Sequence, residues 1–251
     1  MGSPLGSPNN VAATGRAVRN MFGTVAPRYD FLNHLLSAGC DIAWRKATAR
    51  QLRPILARRG SVALDVCCGT GDLTLALARL SAGKVIGTDF CHPMLRRAIE
   101  KGAKVSGLNA RASTSRGSFM EADTLALPFP DGLADVVTSA FGFRNLANYA
   151  RGLEEMHRVL RPGGVLAILE FSRIRWPVLG PLFRFYFRRL LPRIGTLISG
   201  VSGPYQYLPD SVVKFPDQEA LASAMRSAGF ADVRYRNFFF GAAALHVGKK
   251  M

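Results

Sequence analysis

The chain has 251 residues, of which 48% are hydrophobic and 20% are charged, a composition typical of a globular protein with a full apolar core. Its length fits one large α/β domain with a small insertion better than two independent cores. No apolar run approaches the roughly 20 residues that a membrane-spanning helix requires, and the start of the chain has neither the basic nor the apolar part of a secretory signal. The formal net charge of +16 leaves nucleic acid and anionic membranes open as partners.

The N-terminal part of the chain is predicted to precede the main fold. Residues 1–18 are expected to form a disordered tail, because the first ten are mostly Gly, Ser, Pro and Asn. Residues 19–60 are expected to form a helical arm with breaks near Pro27 and Pro54. The mixture of aromatic and polar residues around Tyr29 is typical of a cap over a pocket mouth, and nearly as typical of an amphipathic docking helix.

A glycine turn then opens the main domain, which we expect to span 19–251 together with the arm. A short apolar run ends in Asp65, the turn Gly69-Thr70-Gly71 follows, and apolar residues recur at helical spacing from 73 to 80. This order of buried strand, turn and helix begins a doubly wound α/β unit, in which strand ends and helix amides form a crevice for a nucleotide-like ligand. The turn alone is a weak signal, because a dinucleotide fingerprint has a third glycine.

Strands and helices alternate through most of the remaining chain. The predicted strands begin at residue 62 and continue at 83–89, around 117–123, at 134–139, 165–171, 232–239 and 242–247. Residues 173–216 interrupt the alternation as an insertion. This pattern predicts a seven-stranded, mostly parallel sheet with helices on both faces. The link between the last two strands, around Gly241, is very short. These strands must therefore pair antiparallel, because a parallel crossover needs about a dozen residues or more.

Three acids at the carboxyl ends of the first strands indicate which ligand the crevice holds. Asp72 stands at the start of the first helix, where it repels a phosphate but tolerates a cationic group. Asp89 is placed to accept hydrogen bonds from both hydroxyls of a ribose, and Asp123 from an adenine amino group. S-Adenosylmethionine, a nucleoside with a positive, phosphate-free tail, satisfies all three. Helix-dipole and cap roles explain each acid singly but not the set.

The four cysteines lack CxxC spacing, and most lie at or near predicted strand ends. Reduced thiols in a cytoplasmic protein are therefore favoured over a disulfide or a metal site. No metal is expected. The four cysteines are Cys40, Cys67, Cys68 and Cys91.

Several longer stretches resemble one enzyme family. The most distinctive are Arg-Val-Leu-Arg-Pro-Gly-Gly at 158–164, which leads into Leu-Glu-Phe-Ser at 169–172, and the spaced Tyr-Asp, Asn, Ser and Trp of the arm. With Leu-Pro-Phe-Pro-Asp at 127–131 and Phe-Gly-Phe-Arg-Asn at 141–145, they are similar to the menaquinone/ubiquinone biosynthesis C-methyltransferases, the UbiE/MenG family, from about residue 19 to residue 249.

The resemblance implies a class I, Rossmann-like, S-adenosylmethionine-dependent methyltransferase that acts on a prenylated quinol. It implies three residues of the catalytic centre, which are Arg144, Asn145 and Tyr29. For Arg144 the alternative is a sheet-end salt bridge, which we favour less. The expected cofactor contacts follow from the resemblance and from the glycine turn. They are Asp65, Gly69, Thr70, Gly71, Asp89, Asp123 and Thr124. Ala140 is expected to line the cofactor pocket, with weaker support.

The chain departs from the family's usual residues at a few positions. Asp41 stands where the family usually has His, and Cys68 where it has a small residue. Asp123 and Thr124 replace a common Asn-Ala pair, and Ala140 replaces a frequent Ser. These departures affect the expected adenine contacts and the role of position 41, but not the fold.

The insertion is predicted to cover the substrate side. Residues 173–214 hold seven Lys or Arg and one Asp with aromatic residues between them, which suits a prenyl tail and peripheral contact with a membrane. A solvated basic face explains the same pattern. We expect a cytoplasmic protein at the membrane's inner face, without a nucleic-acid partner, and allow a homodimer.

Demethylmenaquinol is the expected acceptor, and the ubiquinone-pathway benzoquinol is the alternative. A nucleic-acid-binding protein with this fold is the rival from another class, and a methyltransferase for a different small molecule or for RNA is the third possibility.

Overall fold

The computed structural model describes residues 2, 11–25, 30, 34, 37, 39–107, 117–174, 180 and 203–251. The helices in this part of the chain are α1 (Val11–Val25), α2 (Cys40–Leu56), α3 (Asp72–Ala78), α4 (His92–Gly107), α5 (Tyr149–Val159), α6 (Gly203–Lys214) and α7 (Gln218–Ser227). The strands are β1 (Val62–Val66), β2 (Lys84–Asp89), β3 (Gly117–Glu121), β4 (Ala134–Ala140), β5 (Leu160–Phe171), β6 (Phe230–Phe238) and β7 (Ala243–Lys250).

The strands form one sheet in the order β3-β2-β1-β4-β5-β7-β6. Pairing is parallel from β3 to β5, while β7 runs antiparallel to both β5 and β6. This confirms the predicted fold, including the antiparallel last strand. The chain moves outward from β1 to β3 and then returns to β4 on the other side of β1. The carboxyl ends of β1 and β4 therefore form the switch point, where α/β sheets bind their ligands.

The central strands are buried because helices cover both faces of the sheet. Six of the seven residues of β4 are buried, as expected for a strand in the middle of a parallel sheet. Helix α2 presents one buried face, formed by residues at helical spacing, and its Leu52 and Leu56 pack with residues of β1, β4 and β5. Helices α5 and α7 cover the other face, where Leu153 and Met225 are completely buried.

Two boundaries differ from the predicted ones. Helix α1 begins at Val11, inside the segment predicted as a disordered tail, and it buries Thr14 and Val18. Strand β5 begins at Leu160 rather than at residue 165, because Leu160 already pairs with Ala134 of β4. The Arg-Pro-Gly-Gly segment at 161–164 lies in the register shift between that pair and the pair of Val165 with Val136. The single-domain organisation and the insertion boundaries stay predictions.

The insertion is described only at residues 173–174, 180 and 203–216, where α6 is the main element. Helix α6 buries Tyr207 and Ser211, which lie one helical turn apart and face the segment after β4. Within the described residues, none of the helices has the length and apolarity needed to cross a bilayer.

Candidate functional site

A cavity of about 450 Å³ lies at the carboxyl ends of β1, β2 and β4. Its wall includes eight of the residues predicted for the site, namely Asp65, Gly69, Thr70, Asp89, Asp123, Thr124, Ala140 and Asn145. Helix α1 closes one side of the cavity through Arg16, Arg19 and Phe22. Part of the predicted arm therefore does lie over the pocket. The predicted catalytic residue Tyr29 lies outside the described residues.

Asp65 is held in the floor of the cavity by two hydroxyls. Its carboxylate accepts hydrogen bonds from Thr74 Oγ1 at 2.6 Å and from Thr138 Oγ1 at 2.7 Å. Burial raises the pKa of Asp65 to about 6, against the opposing effect of these two hydrogen bonds. A positive ligand group beside this carboxylate would favour its charged form.

Asp89 fixes the glycine turn to the end of β2. Its carboxylate accepts the amide of Gly69 at 2.8 Å and the amide of Cys91 at 2.9 Å. Burial raises the pKa of Asp89 to about 6, although the backbone hydrogen bonds favour the charged form. A carboxylate has about four lone-pair positions, so both oxygens keep acceptor capacity for ligand hydroxyls.

The start of α3 carries more charge than the sequence indicated. Asp72 lines the cavity but pairs with Lys101 of α4 at 2.6 Å, and Lys101 also pairs with Asp30 at 2.6 Å. Thr70 donates to Asp30 at 2.5 Å. Asp30, from the predicted arm, is therefore anchored to the glycine turn. Because Lys101 partly neutralises Asp72, the expected repulsion of a phosphate by Asp72 is weakened.

Thr124 and Asp123 form the wall beyond β3. The Thr124 hydroxyl lies 3.3 Å from the sulfur of Cys67, and Asp123 accepts the amide of Leu125 at 2.9 Å. Burial raises the pKa of the Cys67 thiol, so this thiol stays protonated at neutral pH.

Two non-glycine residues of the cavity wall have left-handed backbone. Cys67 follows β1 with φ of 52°, and Phe141 follows β4 with φ of 59°. Such a conformation costs about 1–3 kcal/mol at a bulky residue and tends to cluster at functional sites. Phe141 is held there by its amide, which donates to Leu169 of β5 at 2.8 Å. Both strained residues thus stand at the switch point.

Arg144 takes part in a buried ion pair. Its Nη1 donates to the two carboxylate oxygens of Glu170 at 2.9 and 3.2 Å, and its Nε donates to Ser211 of α6 at 3.4 Å. Burial raises the pKa of Glu170, and the charge of Arg144 opposes that rise. In the described part of the chain the cavity wall includes Asn145 but not Arg144. The structure thus shows a sheet-end salt bridge, the less favoured of the two predicted roles, and the catalytic role of Arg144 stays a prediction.

Asn145 faces the cavity with its amide fixed from behind. Its Oδ1 accepts a hydrogen bond from the Tyr207 hydroxyl at 2.8 Å. Tyr207 belongs to α6, so the insertion contributes a buried support to the predicted catalytic turn. The predicted role of the insertion aromatics was contact with a prenyl tail or a membrane, and Tyr207 is instead buried against the site.

Arg45 is a cavity residue that the sequence did not reveal. It lies on the buried face of α2, and its guanidinium lies 5.1 Å from the ring centroid of Phe141. Asp41, one helical turn earlier, accepts a hydrogen bond from Arg45, one from Ser37 at 2.6 Å and one from His34 at 2.8 Å. The spacing of Asp41 and Arg45 was the available signal, but it is equally common on solvated helices.

Asp41 is thereby kept charged. Burial would raise the pKa of Asp41, but the hydrogen bond from Ser37 and the charge of Arg45 lower it below its ordinary value. In this chain Asp41 thus has a local role, which is to hold the Arg45 guanidinium against Phe141.

The donor set of the cavity fits S-adenosylmethionine. Asp65 lies near the end of β1, Asp89 ends β2 and Asp123 follows β3, an arrangement that suits a cationic nucleoside. Among the described residues, the positively charged side chains of the wall are those of α1 and Arg45. At Gly71 the turn leaves no room for a larger residue, since a Cβ there would lie 2.8 Å from the ring of Phe119.

Replacement of Gly71 by alanine is expected to destabilise the protein by about 2–5 kcal/mol. The left-handed backbone, with φ of 82°, contributes about 1–2 kcal/mol, and the contact with Phe119 adds an overpacking cost of about 1–3 kcal/mol. Gly163→Ala is the matched control, because Gly163 has φ of 76° but nothing within 4 Å of its Cβ position. Urea unfolding of both variants measures the difference, and equal losses would show that the space around Gly71 is not limiting.

Comparison with known proteins agrees with this geometry. The family model of the ubiE/COQ5 methyltransferase family matches residues 10–250. The chain is 49% identical over 231 residues to the demethylmenaquinone methyltransferase of Thermus thermophilus, covering 92% of this chain and 100% of that relative. It is 42% identical over 238 residues to the ubiquinone/menaquinone biosynthesis C-methyltransferase UbiE of Geotalea uraniireducens, covering 94% of this chain and 97% of the relative.

Among solved structures, a SAM-dependent methyltransferase of Thermotoga maritima, described as a possible histamine N-methyltransferase, has a TM-score of 0.62 at 16% identity and covers 92% of this chain and 99% of its own. At this identity the likeness concerns the fold alone, and it agrees with the predicted class I architecture. The family match spans nearly the whole chain and confirms the predicted resemblance. The chain belongs to the ubiE/COQ5 methyltransferase family.

Proposed function

We propose that this protein transfers a methyl group from S-adenosylmethionine to a ring carbon of demethylmenaquinol, which yields menaquinol. The observation that carries the proposal is the combination of family membership with a single cavity that holds the strand-end acids, the left-handed Phe141 and the Asn145 turn. The relative named demethylmenaquinone methyltransferase is matched over its full length at 49% identity, which favours the naphthoquinol branch.

The strand-end acids bind the nucleoside in this proposal. Asp89 accepts the ribose hydroxyls, while Asp123 and Thr124 face the adenine edge, and Gly69 to Gly71 allow close approach of the backbone. Burial of Asp89 supports this role, because a hydrogen bond to a charged acceptor is stronger away from water.

Asn145 and Tyr29 orient the quinol and a water in this proposal. When bound, S-adenosylmethionine supplies an electrophilic methyl group on a sulfonium. The chain must hold the quinol ring in line, stabilise the phenolate that makes its ring carbon nucleophilic, and accept a proton. Tyr207 supports the part assigned to Asn145, since it fixes Oδ1 and leaves the amide hydrogens as donors. Arg144, paired with Glu170, supports the same turn from behind.

Arg45 binds the carboxylate of the donor's amino-acid end. The amino-acid end carries an ammonium and a carboxylate, and the cavity wall includes both Asp65 and Arg45, whose charge acts on the Asp65 carboxyl group. A guanidinium has five N–H donors, so Asp41 and a ligand carboxylate can be bound together.

The Arg45→Gln variant is expected to bind S-adenosylhomocysteine about 10–100-fold more weakly, because a hydrogen bond to a charged group contributes about 1.5–3 kcal/mol. Its affinity for 5′-methylthioadenosine, which lacks the amino-acid end, should not change. Titration calorimetry with both ligands measures the difference. Arg50→Gln is the matched control, because Arg50 is exposed on the same helix.

Equal weakening of both ligands would contradict this assignment and indicate a general role in pocket structure. Unchanged affinities together with a raised KM for quinol would instead assign Arg45 to the acceptor.

The prenyl tail of the acceptor implies contact with a lipid surface. The charge of +16 supports attraction to anionic lipid, and the basic, aromatic segment 173–216 is the part of the sequence that suits it. The cytoplasmic face of a membrane is the location that this proposal requires. If the protein failed to sediment with anionic liposomes at low salt, and neutralising these arginines left turnover of lipid-tailed quinol unchanged, this part of the proposal would be wrong.

Incubation with labelled S-adenosylmethionine and both quinol classes tests the proposed function. Label in the reduced demethylnaphthoquinone is the expected result. Label in the benzoquinol alone would move the protein to the ubiquinone branch. Label in neither would contradict the acceptor while leaving the fold and the family intact.

A further inference from the structure

The turn between β6 and β7 carries two exposed phenylalanines. The side chains of Phe239 and Phe240, called the Phe tip here, are 61% and 55% exposed and lie edge to face with ring centroids 5.8 Å apart. Two adjacent exposed phenyl rings are uncommon on a protein surface that only meets water, and they indicate an interaction site.

The backbone of the Phe tip is strained and braced. Phe239 and Phe240 have φ of 43° and 55°, which bulky residues rarely adopt. The next residue, Gly241, passes so close to the chain after β5 that a Cβ would lie 3.0 Å from the carbonyl oxygen of Arg173. Gln218 of α7 donates to that same carbonyl at 3.2 Å. The fold therefore fixes the turn that carries these rings, and such strain points to function.

The Phe tip lies at the same edge of the sheet as the cavity. Phe171 at the carboxyl end of β5 pairs with Ala243 at the start of β7, which also pairs with Phe238. The hairpin end therefore projects from the edge at which β1 and β4 form the cavity. Loops at that edge are the ones that meet a ligand.

Aromatic contacts connect the cavity to the base of the Phe tip. The ring of Phe141, in the cavity wall, lies 6.1 Å from Trp44, and Trp44 lies 6.2 Å from Phe238. Phe238 immediately precedes the Phe tip. A row of aromatic side chains therefore connects the cavity wall with the base of the Phe tip.

The residues around the Phe tip are basic. Residues 234–241 include two arginines and no acid, and the Arg236 guanidinium lies 5.4 Å from the ring centroid of Phe238. Arg173 lies beside Gly241 and begins the basic segment described above. Aromatic rings flanked by arginines suit the boundary between anionic headgroups and acyl chains.

We propose that Phe239 and Phe240 insert into the interfacial region of an anionic lipid bilayer and so bring the cavity mouth to the membrane. The inference rests on the proposed function, since a prenylated acceptor is dissolved in the bilayer. The aromatic row then offers the prenyl tail an apolar route to the cavity, while the arginines contact the headgroups.

Vesicle binding of the full-length protein tests this proposal. The Phe239→Asn/Phe240→Asn variant removes the rings but keeps a residue type that tolerates left-handed backbone. It should partition at least about tenfold more weakly than the unaltered protein into phosphatidylglycerol vesicles that contain no quinol. Ile99→Gln is the matched control, because Ile99 is 54% exposed on α4, and its partitioning should be unchanged. Equal binding by all three proteins would overturn the proposal.

A second measurement does not depend on the fold of the double variant. The Phe239→Trp variant should gain tryptophan fluorescence that brominated phosphatidylglycerol quenches. The fluorescence that Ile99→Trp gains should not be quenched by this lipid. Absence of the added quenching would also overturn the proposal. The proposal would also be wrong if the Phe tip joined two copies of the chain. In that case the unaltered protein would be a dimer, and the double Asn variant would lose the dimer but still bind vesicles.

Methyl transfer separates this inference from the proposed function. The double variant should methylate a short-chain, water-soluble demethylnaphthoquinol at an unchanged rate. If the unaltered protein binds vesicles through the Phe tip but methylates no quinol, the proposed function is wrong. The role of the Phe tip in membrane binding would still hold.

Discussion

Replacement of Asp89 by alanine is expected to weaken the binding of S-adenosylhomocysteine by at least about 100-fold. Two ribose hydroxyls donating to a charged, buried acceptor contribute about 1.5–3 kcal/mol each, and 1.4 kcal/mol corresponds to a factor of ten. The variant also removes the carboxylate that accepts the Gly69 amide. The glycine turn is then no longer held to β2, which weakens binding further. Titration calorimetry at neutral pH measures the change.

Asp131→Ala is the control for this experiment, because Asp131 is an exposed acid that makes a surface ion pair with Arg158. It should bind the ligand normally. If Asp89→Ala also bound normally, the cofactor assignment would be wrong. Steeply salt-dependent binding to RNA or DNA by that variant would then favour the rival nucleic-acid function.

The affinity for the ligand should also depend on pH. Burial raises the pKa of both Asp65 and Asp89 to about 6, and a ligand with donor hydroxyls and an ammonium binds their charged forms. Affinity should therefore fall as pH drops through about 6, by about tenfold per group between pH 7 and pH 5. Asp89→Asn should lose one of these two steps, and an unchanged pH profile would contradict the role of Asp89.

Removal of Glu170 is expected to cost about 3–5 kcal/mol of unfolding free energy, because Glu170→Ala leaves the guanidinium of Arg144 buried without its carboxylate. Arg226→Ala is the matched control. It breaks an exposed pair with Glu219 and should cost less than about 1 kcal/mol. Urea unfolding measures both, and similar losses would show that the buried pair contributes no more than the exposed one.

The Arg144→Ala variant should respond to pH in a definite direction. The Glu170 carboxyl, whose pKa burial already raises above its ordinary 4.5, then lacks the opposing charge. Its folded form binds a proton more tightly than its unfolded form, so stability should be greatest at low pH and fall as pH rises above about 4.5. A flat profile from pH 4 to 8 would contradict the buried environment of Glu170.

The apolar double variant Arg144→Met/Glu170→Leu separates structure from catalysis. Replacing a buried ion pair by residues of similar volume is often neutral for stability. A folded double variant whose kcat falls by at least about 100-fold would assign Arg144 to the reaction, at a cost of about 2.7 kcal/mol in the transition state. An unchanged kcat would leave it a structural role only.

Local patterns were sufficient to predict the sheet and the floor of the site. The alternation of apolar strands with helical segments determines the parallel order, and the short link at Gly241 requires the antiparallel strand. The acids at 65 and 89 follow directly from the strand ends, because a parallel sheet brings those ends to one edge. The resemblance added Asn145, which the structure places in the cavity wall.

Long-range packing decided the rest. Arg144 meets Glu170 across 26 positions, and Asn145 meets Tyr207 across 62 positions, and no periodicity encodes either contact. Arg45 has the sequence pattern of an ordinary helix cation, and only the packing of α2 on the sheet brings it to the cavity.

The sequence by itself therefore determined the fold, the family and the acids that line the crevice, because strand periodicity and turn residues act over a few neighbouring positions. Only the tertiary structure decided which charges are paired, which arginine faces the cavity and which phenylalanines face outward. Those outcomes depend on burial and on contacts between distant segments, where desolvation makes an unpaired charge costly.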